Sequence, residues 1–500
     1  MTSPPPSPTQ TFWAQLSRKQ IPNARTDDEP LHRSLGVFQL AMIGVGCTIG
    51  TGIFFSLSTA VPKAGPAVVI SFLIASVAAG LAALCYAELA SSIPAAGSAY
   101  SYAYAAIGQY AAVGVAACLM LEYGVATAAS AVGWAGYVNQ LFSDLTGSEI
   151  PYWALHAPGS TSDSGQVGII NLPALILVVM CTVLLLRGVR ESMLVNTIMV
   201  LIKLGVLAFF VAIAFTAFKV GNFSDFAPMG AAGVGAGTAT IFFTFVGIDA
   251  ISTAGEEVRD PRKTLPRAII LALGIVLTIY MLVAFAAVGA QQWTKFEGQE
   301  AGLSVILDNI LHQRWPGMVL AAGAVVSIFS VTLVTLYGQT RILFSMGRDA
   351  IVSKRFASVG GNSQVPVFNT LAVALIVGPA AAFIPLDELA DLTSIGTMVA
   401  FIAVAIALIM ARRNSSVKPS FCVPLYPLTP ILTVVVCCYV LTGLSATTWT
   451  FFAIWMVLTY GFYLWRGRKM DAGTPVAAVK DLSPLFDPDA ANKVDPTHAP

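Results

Sequence analysis

Three ionisable side chains interrupt apolar stretches of the sequence: Glu122 in "LMLEYGVATAAS", Lys203 in "NTIMVLIKLGVLAFF" and Asp249 in "FFTFVGIDAIS". An unpaired charge at the centre of a bilayer costs about 2.5 to 3.5 kcal/mol, so each side chain needs a partner or a function. Lys203 lies eleven residues after the polar turn "RGVRES", which places it about 16 Å along a helix and near the midplane. Removal from water disfavours the charged form of an amine, so we predict that Lys203 couples function to protons. The alternative is a permanently charged lysine that Glu122 or helix carbonyl groups neutralise.

A run of glycines is the second candidate site. The stretch "IGVGCTIGTGIFF", residues 43 to 55, contains Gly44, Gly46, Gly50 and Gly52 in an otherwise apolar helix. One interpretation is close helix packing, because Gly46 and Gly50 have small-xxx-small spacing. The other is a helix that breaks at mid-bilayer near Gly50 and Gly52. The freed N–H groups of a half-helix suit a carboxylate and the freed carbonyl groups suit an ammonium, and an amino acid has both.

The elements that position these residues are membrane helices. Of 500 residues, 56% are hydrophobic and only 11% are charged, which indicates an all-α integral membrane protein. Twelve apolar segments are long enough to span a bilayer. They cover residues 36–61, 66–90, 109–142, 169–188, 193–218, 235–256, 266–290, 316–340, 367–385, 392–411, 427–445 and 447–465.

The distribution of basic residues predicts the orientation. With twelve spans and a cytoplasmic N-terminus, 22 of the 27 Lys and Arg residues face the cytoplasm, and only Lys63, Lys219, Lys295 and Arg314 face outward. This is the bias expected of cytoplasmic loops. Segment 109–142 could be two spans by length, but splitting it would reverse the bias. We therefore predict one long, tilted helix there and both termini in the cytoplasm.

The ends and the cysteines carry no further predicted site. Residues 1–34 and 467–500 are polar and are expected to be cytoplasmic tails, and no cleavable signal is visible. The seven cysteines lie in or beside apolar segments or on the cytoplasmic side, so we expect no structural disulfide. The four histidines lie outside the spans and no Cys/His spacing resembles a metal site. We expect neither a metal nor a cofactor.

Four motifs occur in an order that resembles a known family. "IGVGCTIGTGIF" in span 1 is similar to the substrate-binding break of the amino acid–polyamine–organocation (APC) superfamily transporters. "FFTFVGIDAISTAGEEVRDPRKTLPRAI" in span 6 resembles the bacterial cationic amino acid transporter branch. "IPAAGSAYSYAYAAIG" before span 3 and "LYGQTRILFSMGRDAI" at the end of span 8 also resemble that branch. The resemblance extends from about residue 34 to residue 412.

The resemblance implies a five-plus-five inverted repeat with helices 1 and 6 broken around the substrate. Its units would be residues 35–218 (helices 1–5) and 219–412 (helices 6–10), with helices 11 and 12 peripheral at 413–466. It also implies substrate contacts, many of them through main-chain groups, at Ile49, Gly50, Thr51, Gly52, Phe243, Thr244, Val246 and Gly247, with a Phe as gate. The span 6 break rests on the resemblance alone, since that segment has no glycine cluster. Asp249 is expected to be a structural anchor or to form the pocket floor.

Proton coupling by Lys203 also follows the pattern of the family. In sodium-coupled relatives of the fold, main-chain oxygens of helix 1 and hydroxyl groups of helix 8 hold a cation, and a span 5 lysine replaces that cation in the proton-coupled branch. Span 8 offers Ser327, Ser330 and Thr332. The resemblance favours a role for Glu122 as well, and leaves open whether it pairs with Lys203.

The predicted function is proton-coupled symport of neutral or cationic L-amino acids by alternating access. Here the chain departs from the family pattern: several cationic transporters look to carry Glu right after the Gly that opens span 3, where this chain has Gln109, so the resemblance does not imply a cationic preference. The alternatives are an amino acid exchanger of the same fold and a membrane sensor or enzyme, and no catalytic constellation supports an enzyme. The loop after span 3 has no cysteine, so no disulfide-linked accessory subunit is expected. We expect no nucleic-acid partner, and a monomer or weak homo-oligomer.

Overall fold

The described part of the molecule is helical. A computed structural model describes residues 35–467, except for 162–164, 297–301, 314, 361–364, 385, 415–418, 443 and 445. The predicted tails, 1–34 and 467–500, lie outside this part apart from Gly467. The helices are α1 Val37–Thr48, α2 Thr51–Ala64, α3 Val68–Ser92, α4 Ala99–Ala106, α5 Gln109–Thr146, α6 Tyr152–Leu155, α7 Leu172–Arg187, α8 Val189–Thr216, α9 Gly230–Phe242, α10 Ala250–Thr253, α11 Pro261–Ala290, α12 Gly302–Leu311, α13 Trp315–Arg348, α14 Val367–Phe383, α15 Leu386–Arg413, α16 Leu428–Leu441 and α17 Ala446–Gly467.

Length and composition fit a multi-pass membrane protein. Six helical stretches of the described chain are apolar enough and long enough to cross a membrane: Ser56–Ser92, Gln109–Thr146, Ser192–Thr216, Pro261–Ala290, Trp315–Arg348 and Leu392–Arg413. A seventh results if α16 and α17, which meet at a sharp bend, form one span. The helices α1, α7, α9 and α14 are apolar but shorter. Residues 109–146 form one helix, as the sequence predicted.

Local sequence explains where individual helices begin and end. The side chain of Asn171 caps α7 by accepting a hydrogen bond from the Ala174 N–H at 3.1 Å, and Pro173 occupies a first-turn position where no N–H is needed. The long helix α5 ends at Gly147, whose φ of 73° is left-handed. Glycine adopts that conformation without a Cβ clash.

The long helix α5 lies at the centre of the bundle. It packs against α4, α7, α13 and α15. The broken helices lie beside it, with α1 packed on α11 and α8 and with α2 packed on α9. The breaks of the two interrupted helices are therefore surrounded by helices on several sides, which is where a polar site can be shielded from lipid.

One end of the bundle, which we call the arginine face, is joined by three buried or half-buried ion pairs. Arg341 donates from Nε to Glu257 at 2.7 Å and Arg348 pairs with Glu256. Arg412 donates from Nε to Glu88 at 2.6 Å. All three arginines belong to helices, Arg341 and Arg348 to α13 and Arg412 to α15.

A short backbone pairing also ties the two broken helices together at the arginine face. Leu35, just before α1, forms a parallel bridge with Val258, just after α10 and its 3₁₀ turn. The Leu35 N–H donates to Glu257 O at 3.0 Å, and the Arg259 N–H donates to Leu35 O at 3.1 Å. The chain entering α1 and the chain leaving α10 are thus in direct contact.

Candidate functional site

The first broken helix is interrupted at Ile49 and Gly50. α1 ends at Thr48 and α2 begins at Thr51, while Ile49 has φ −80° and ψ 100° and Gly50 has φ −159° and ψ −136°. The predicted break is therefore present. Because Gly50 leaves the helical path, the carbonyl groups of Gly46 and Ile49 are available to side chains. The first N–H groups of α2 are also without helical partners, as in the first turn of every helix.

The second broken helix is interrupted after Phe242. α9 ends there, Phe243–Phe245 form a 3₁₀ turn, and α10 begins at Ala250. Gly247 has φ +96°, and a Cβ at this position would lie 2.3 Å from Cys47 Sγ. Position 247 therefore requires glycine for both its backbone conformation and its contact with the first broken helix.

The two breaks are in direct contact. A Cβ on Gly52 would lie 2.9 Å from Thr244 Cα, which is closer than backbone atoms tolerate. The Tyr280 hydroxyl of α11 lies 2.7 Å from Thr48 O and 2.9 Å from Thr244 O, so it can donate to either break. The polar backbone groups of both breaks therefore lie together in one small region of the bundle.

A cavity of about 40 Å³ lies between the breaks. About 10 to 15 Å³ is enough for one water molecule, so the cavity has room for a small solute. Among the described residues, the lining combines small, apolar and hydroxyl side chains without a charged group. The lining residues are Cys47, Thr48, Gly50, Gly52, Ala126, Ser130, Thr244, Val246, Val331 and Thr335.

Lys203 lies against the first break, on the side of α8. Its Nζ donates to Gly46 O at 2.9 Å and to Ile49 O at 2.5 Å, and the side chain is fully buried. On α13, Ser327 Oγ lies 3.3 Å from Ile49 O and Ser330 Oγ lies 3.4 Å from Gly46 O. The ammonium group and the two hydroxyl groups thus surround the carbonyl oxygens that the break leaves free.

Of the other span 8 hydroxyl groups considered from the sequence, Thr332 is not part of this arrangement. Its Oγ1 donates to Ile328 O of its own helix at 3.0 Å. Ser327 and Ser330, three residues apart, lie on the face of α13 that meets α1. The sequence offered all three residues without indicating which of them meets the lysine.

Asp249 lies after the second break and is anchored to α5. Its Oδ2 accepts a hydrogen bond from the Tyr123 hydroxyl at 2.8 Å, and its backbone carbonyl accepts from Ser252 Oγ at 2.6 Å. Asp249 does not line the cavity. Its Oδ1 is buried and has no hydrogen-bond partner among the described residues. These contacts are those of an anchoring residue.

Glu122 is buried where α5 meets α15, whereas Lys203 lies where α8 meets the first break. Its Cβ and N–H lie against Gly396 of α15, where an added Cβ would come within 3.2 Å and 3.4 Å of them. The carboxyl oxygens are buried and make no hydrogen bond of good geometry among the described residues, although the Thr397 hydroxyl is near. The ion pairs of the described chain do not include one between Glu122 and Lys203.

The structure brings only part of the predicted substrate site to the cavity. Gly50, Gly52, Thr244 and Val246 line it, whereas Ile49 contributes its carbonyl to Lys203 and Gly247 packs on Cys47. The side chains of Thr51 and Phe243 lie outside the described part of the molecule.

Several lining residues were not predicted as substrate contacts. They are Cys47, Thr48, Ala126, Ser130, Val331 and Thr335. Small and β-branched residues in apolar helices are the ordinary material of helix packing. The only available signal was the hydroxyl content of α5 and α13, which also fits helix packing.

Comparison with known proteins identifies relatives across almost the whole chain. Residues 35–462 match the family model described as amino acid permease. The chain is 37% identical over 460 residues to the branched-chain amino acid permease BcaP of Bacillus subtilis (strain 168), covering 92% of this chain and 98% of that protein.

Two further relatives differ in what their names say they carry. The chain is 36% identical over 449 residues to the methylthioribose transporter of Bacillus subtilis (strain 168), covering 89% of this chain and 96% of that protein. It is 35% identical over 419 residues to human cationic amino acid transporter 4, covering 81% of this chain and 64% of that protein. Relatives of similar identity thus have different named substrates.

Proposed function

The chain belongs to the amino acid permease family of the APC superfamily, and from that premise we propose that it is a proton-coupled symporter of L-amino acids with neutral side chains. Its family and relatives are membrane transporters rather than enzymes, and amino acid transport is the activity they support. The observation that carries the finer proposal is the meeting of two helix breaks at one uncharged cavity, with Lys203 bound to the carbonyl groups of the first break.

The breaks supply what an amino acid head group needs. The N-terminus of α2, at Gly50 to Gly52, presents free N–H groups and the positive end of a helix dipole to the cavity, which suits the substrate carboxylate. The ends of α1 and α9 present carbonyl groups, which suit the substrate ammonium. A neutral sugar such as methylthioribose lacks both charged groups, so this arrangement favours an amino acid.

The cavity supports a neutral side chain over a cationic one. Its described lining has hydroxyl groups and apolar surfaces but no carboxylate, and a buried cation without a counter-charge is strongly disfavoured. The 37% identity to a branched-chain amino acid permease over almost the full length of both proteins supports the same class.

Lys203 supports proton coupling. A charged ammonium group forms stronger hydrogen bonds with carbonyl oxygens than a neutral amine does, so protonation strengthens the link between α8 and the first break. Substrate binding at the same break and protonation of Lys203 would then favour the same conformers, which is the basis of coupling. An exchanger would not need such a group. Glu122 remains a second candidate for proton coupling, acting separately because it faces α15.

We further propose that the twelve predicted segments all span the cytoplasmic membrane, with the arginine face and both termini in the cytoplasm. In this arrangement α1 with α2, and α9 with α10, are the broken spans 1 and 6. The five-plus-five repeat then covers residues 35–218 and 219–412, with α16 and α17 peripheral.

Uptake into proteoliposomes tests the function. With an inward proton gradient, we expect leucine or alanine to accumulate, whereas arginine and methylthioribose should not. Lys203→Ala should still bind substrate but should not concentrate it, while Lys219→Ala, which alters an exposed lysine, should behave as the unaltered protein. Concentration of leucine by Lys203→Ala would contradict proton coupling through this residue. Preferential uptake of arginine would contradict the neutral class.

A further inference from the structure

Asn196 lies on α8 seven residues before Lys203, which places both side chains on the same face of that helix. Its Nδ2 donates to Met42 O of α1 at 3.0 Å, and its Oδ1 lies 2.7 Å from Ser330 Oγ of α13. Asn196 and Ser330 are fully buried. The sequence did not single out Asn196, because an amide near one end of an apolar segment is an ordinary packing residue.

The direction of these hydrogen bonds follows from the groups involved. A backbone carbonyl can only accept, so Met42 O requires the amide nitrogen of Asn196 on its side. The amide oxygen therefore faces Ser330, and the Ser330 hydroxyl donates its single proton to it. The proton position of Ser330 is thus fixed by Asn196.

The second possible acceptor for Ser330 is the carbonyl group that Lys203 uses. Ser330 Oγ lies 3.4 Å from Gly46 O, at the long limit of a hydrogen bond, and 2.7 Å from Asn196 Oδ1. Lys203 Nζ is much closer to Gly46 O, at 2.9 Å. With the Ser330 proton directed to Asn196, the Gly46 carbonyl depends on Lys203 for its hydrogen bond.

We infer that Asn196 is a positioning residue for proton coupling: it holds the Ser330 proton away from Gly46 O, so that the hydrogen bond to this carbonyl oxygen of the first break depends on the charge of Lys203. This inference rests on the proposed role of Lys203. When Lys203 loses its proton, the charge-assisted bond to Gly46 O weakens and no hydroxyl group takes its place. Without Asn196, the Ser330 hydroxyl turns to Gly46 O and holds the break in both protonation states.

The inference predicts an unusual pattern among three variants. In proteoliposomes with a pH difference of one unit, a fully coupled one-proton symporter concentrates a neutral amino acid at most about tenfold. Asn196→Leu should lower this accumulation towards onefold and flatten the pH profile of substrate binding. Ser330→Ala alone removes the competing hydroxyl group, and its accumulation is the reference for the double variant. The double variant Asn196→Leu with Ser330→Ala should regain accumulation.

The double variant separates positioning from a structural role. If Asn196 only fastens α1 through Met42 O, removing the Ser330 hydroxyl cannot repair the loss, and a double variant as impaired as Asn196→Leu overturns the inference. Unchanged accumulation and an unchanged pH profile in Asn196→Leu overturn it as well. If Asn196→Leu does not fold, Asn196→Ala removes the same acceptor with a smaller side chain and carries the same expectation. Lys203→Ala is measured in parallel, because coupling that survives in that variant contradicts the proposed function instead.

Discussion

At the scale of single residues, the absence of a side chain at position 52 is what allows the two breaks to meet. A methyl group there would lie 2.9 Å from the backbone Cα of Thr244, and a backbone atom cannot turn aside as a side chain can. Overpacking of this kind costs about 1 to 3 kcal/mol. The strain would fall on the contact that encloses the cavity, since Gly52 and Thr244 both line it.

We therefore expect Gly52→Ala to weaken substrate binding by about 5- to 150-fold, the affinity change that corresponds to this strain. Scintillation proximity or calorimetric binding with the purified protein measures it. Gly274→Ala is the matched control, because a Cβ there meets nothing within 4 Å and alanine favours a helix. Equal affinities in the two variants would show that close contact at position 52 is not required for binding.

At this scale, sequence alone predicted the first break but only four of the ten residues that line the cavity. The spacing of Gly50 and Gly52 in an apolar segment indicated where the backbone departs from a helix, and depth along α8 indicated Lys203. Val331 and Ala126 could not be predicted, because which face of α13 or α5 meets a cavity depends on how the helices rotate against each other. That rotation is set by packing of the whole bundle rather than by local sequence.

At the scale of elements, the short helix α4 closes the arginine face between the two halves of the chain. The Tyr100 hydroxyl of α4 donates to Oδ2 of Asp349, the residue that directly follows α13, at 2.6 Å. The N–H of Ala96 donates to Glu256 Oε1 at 2.9 Å, and Glu256 also accepts from Arg348. α4 is thus tied to the ends of α13 and of the second broken helix.

This junction makes the stability of the arrangement depend on pH. Burial raises the pKa of Asp349 to about 6, with Glu256 acting in the same direction and Tyr100 and Arg348 in the opposite one. Because the pKa of Asp349 is higher in the folded protein than in the unfolded chain, its protonated form stabilises the folded state. This contribution to the free energy of unfolding is complete below about pH 4, and it is lost as the pH rises through the pKa of the folded protein.

Between pH 5 and 7.5, we accordingly expect the apparent melting temperature to fall less in Asp349→Asn than in the unaltered protein. Asparagine keeps an acceptor for Tyr100 but does not titrate. Asp260→Asn serves as control, since that carboxylate is 59% exposed. Identical pH dependence in all three proteins would show that Asp349 does not titrate in this range.

The sequence placed the long helices well and the connecting helices poorly. Each predicted apolar segment coincides with helical structure within several residues, because apolar runs of that length have few other stable forms. Neither α4 nor α12 was predicted as a helix. "AYSYAYAA" is a mixture of small and aromatic residues whose helical state depends on its contacts with α5 and α15.

At the scale of the whole molecule, the arrangement of charges predicts which end faces the cytoplasm. In cells, cysteine at position 263 should resist an impermeant maleimide unless the membrane is opened, whereas cysteine at position 225 should react in intact cells. Lys263 and Asp225 are both exposed. Lys263 lies in the first turn of α11, and Asp225 lies in the connection that precedes α9. The experiment uses a background without the native cysteines, of which Cys422 and Cys438 are exposed. The reverse labelling pattern would contradict the proposed orientation in the membrane.

The backbone pairing of Leu35 with Val258 has a mechanical consequence for such a molecule. Two hydrogen bonds join the chain just before α1 to the chain just after the second broken helix. Movement of one of these segments alone would break both bonds, whereas movement of the two segments together leaves them intact. The first segments of the two proposed repeats therefore share one degree of freedom at the arginine face, and a half-open intermediate in which only α1 has moved is disfavoured.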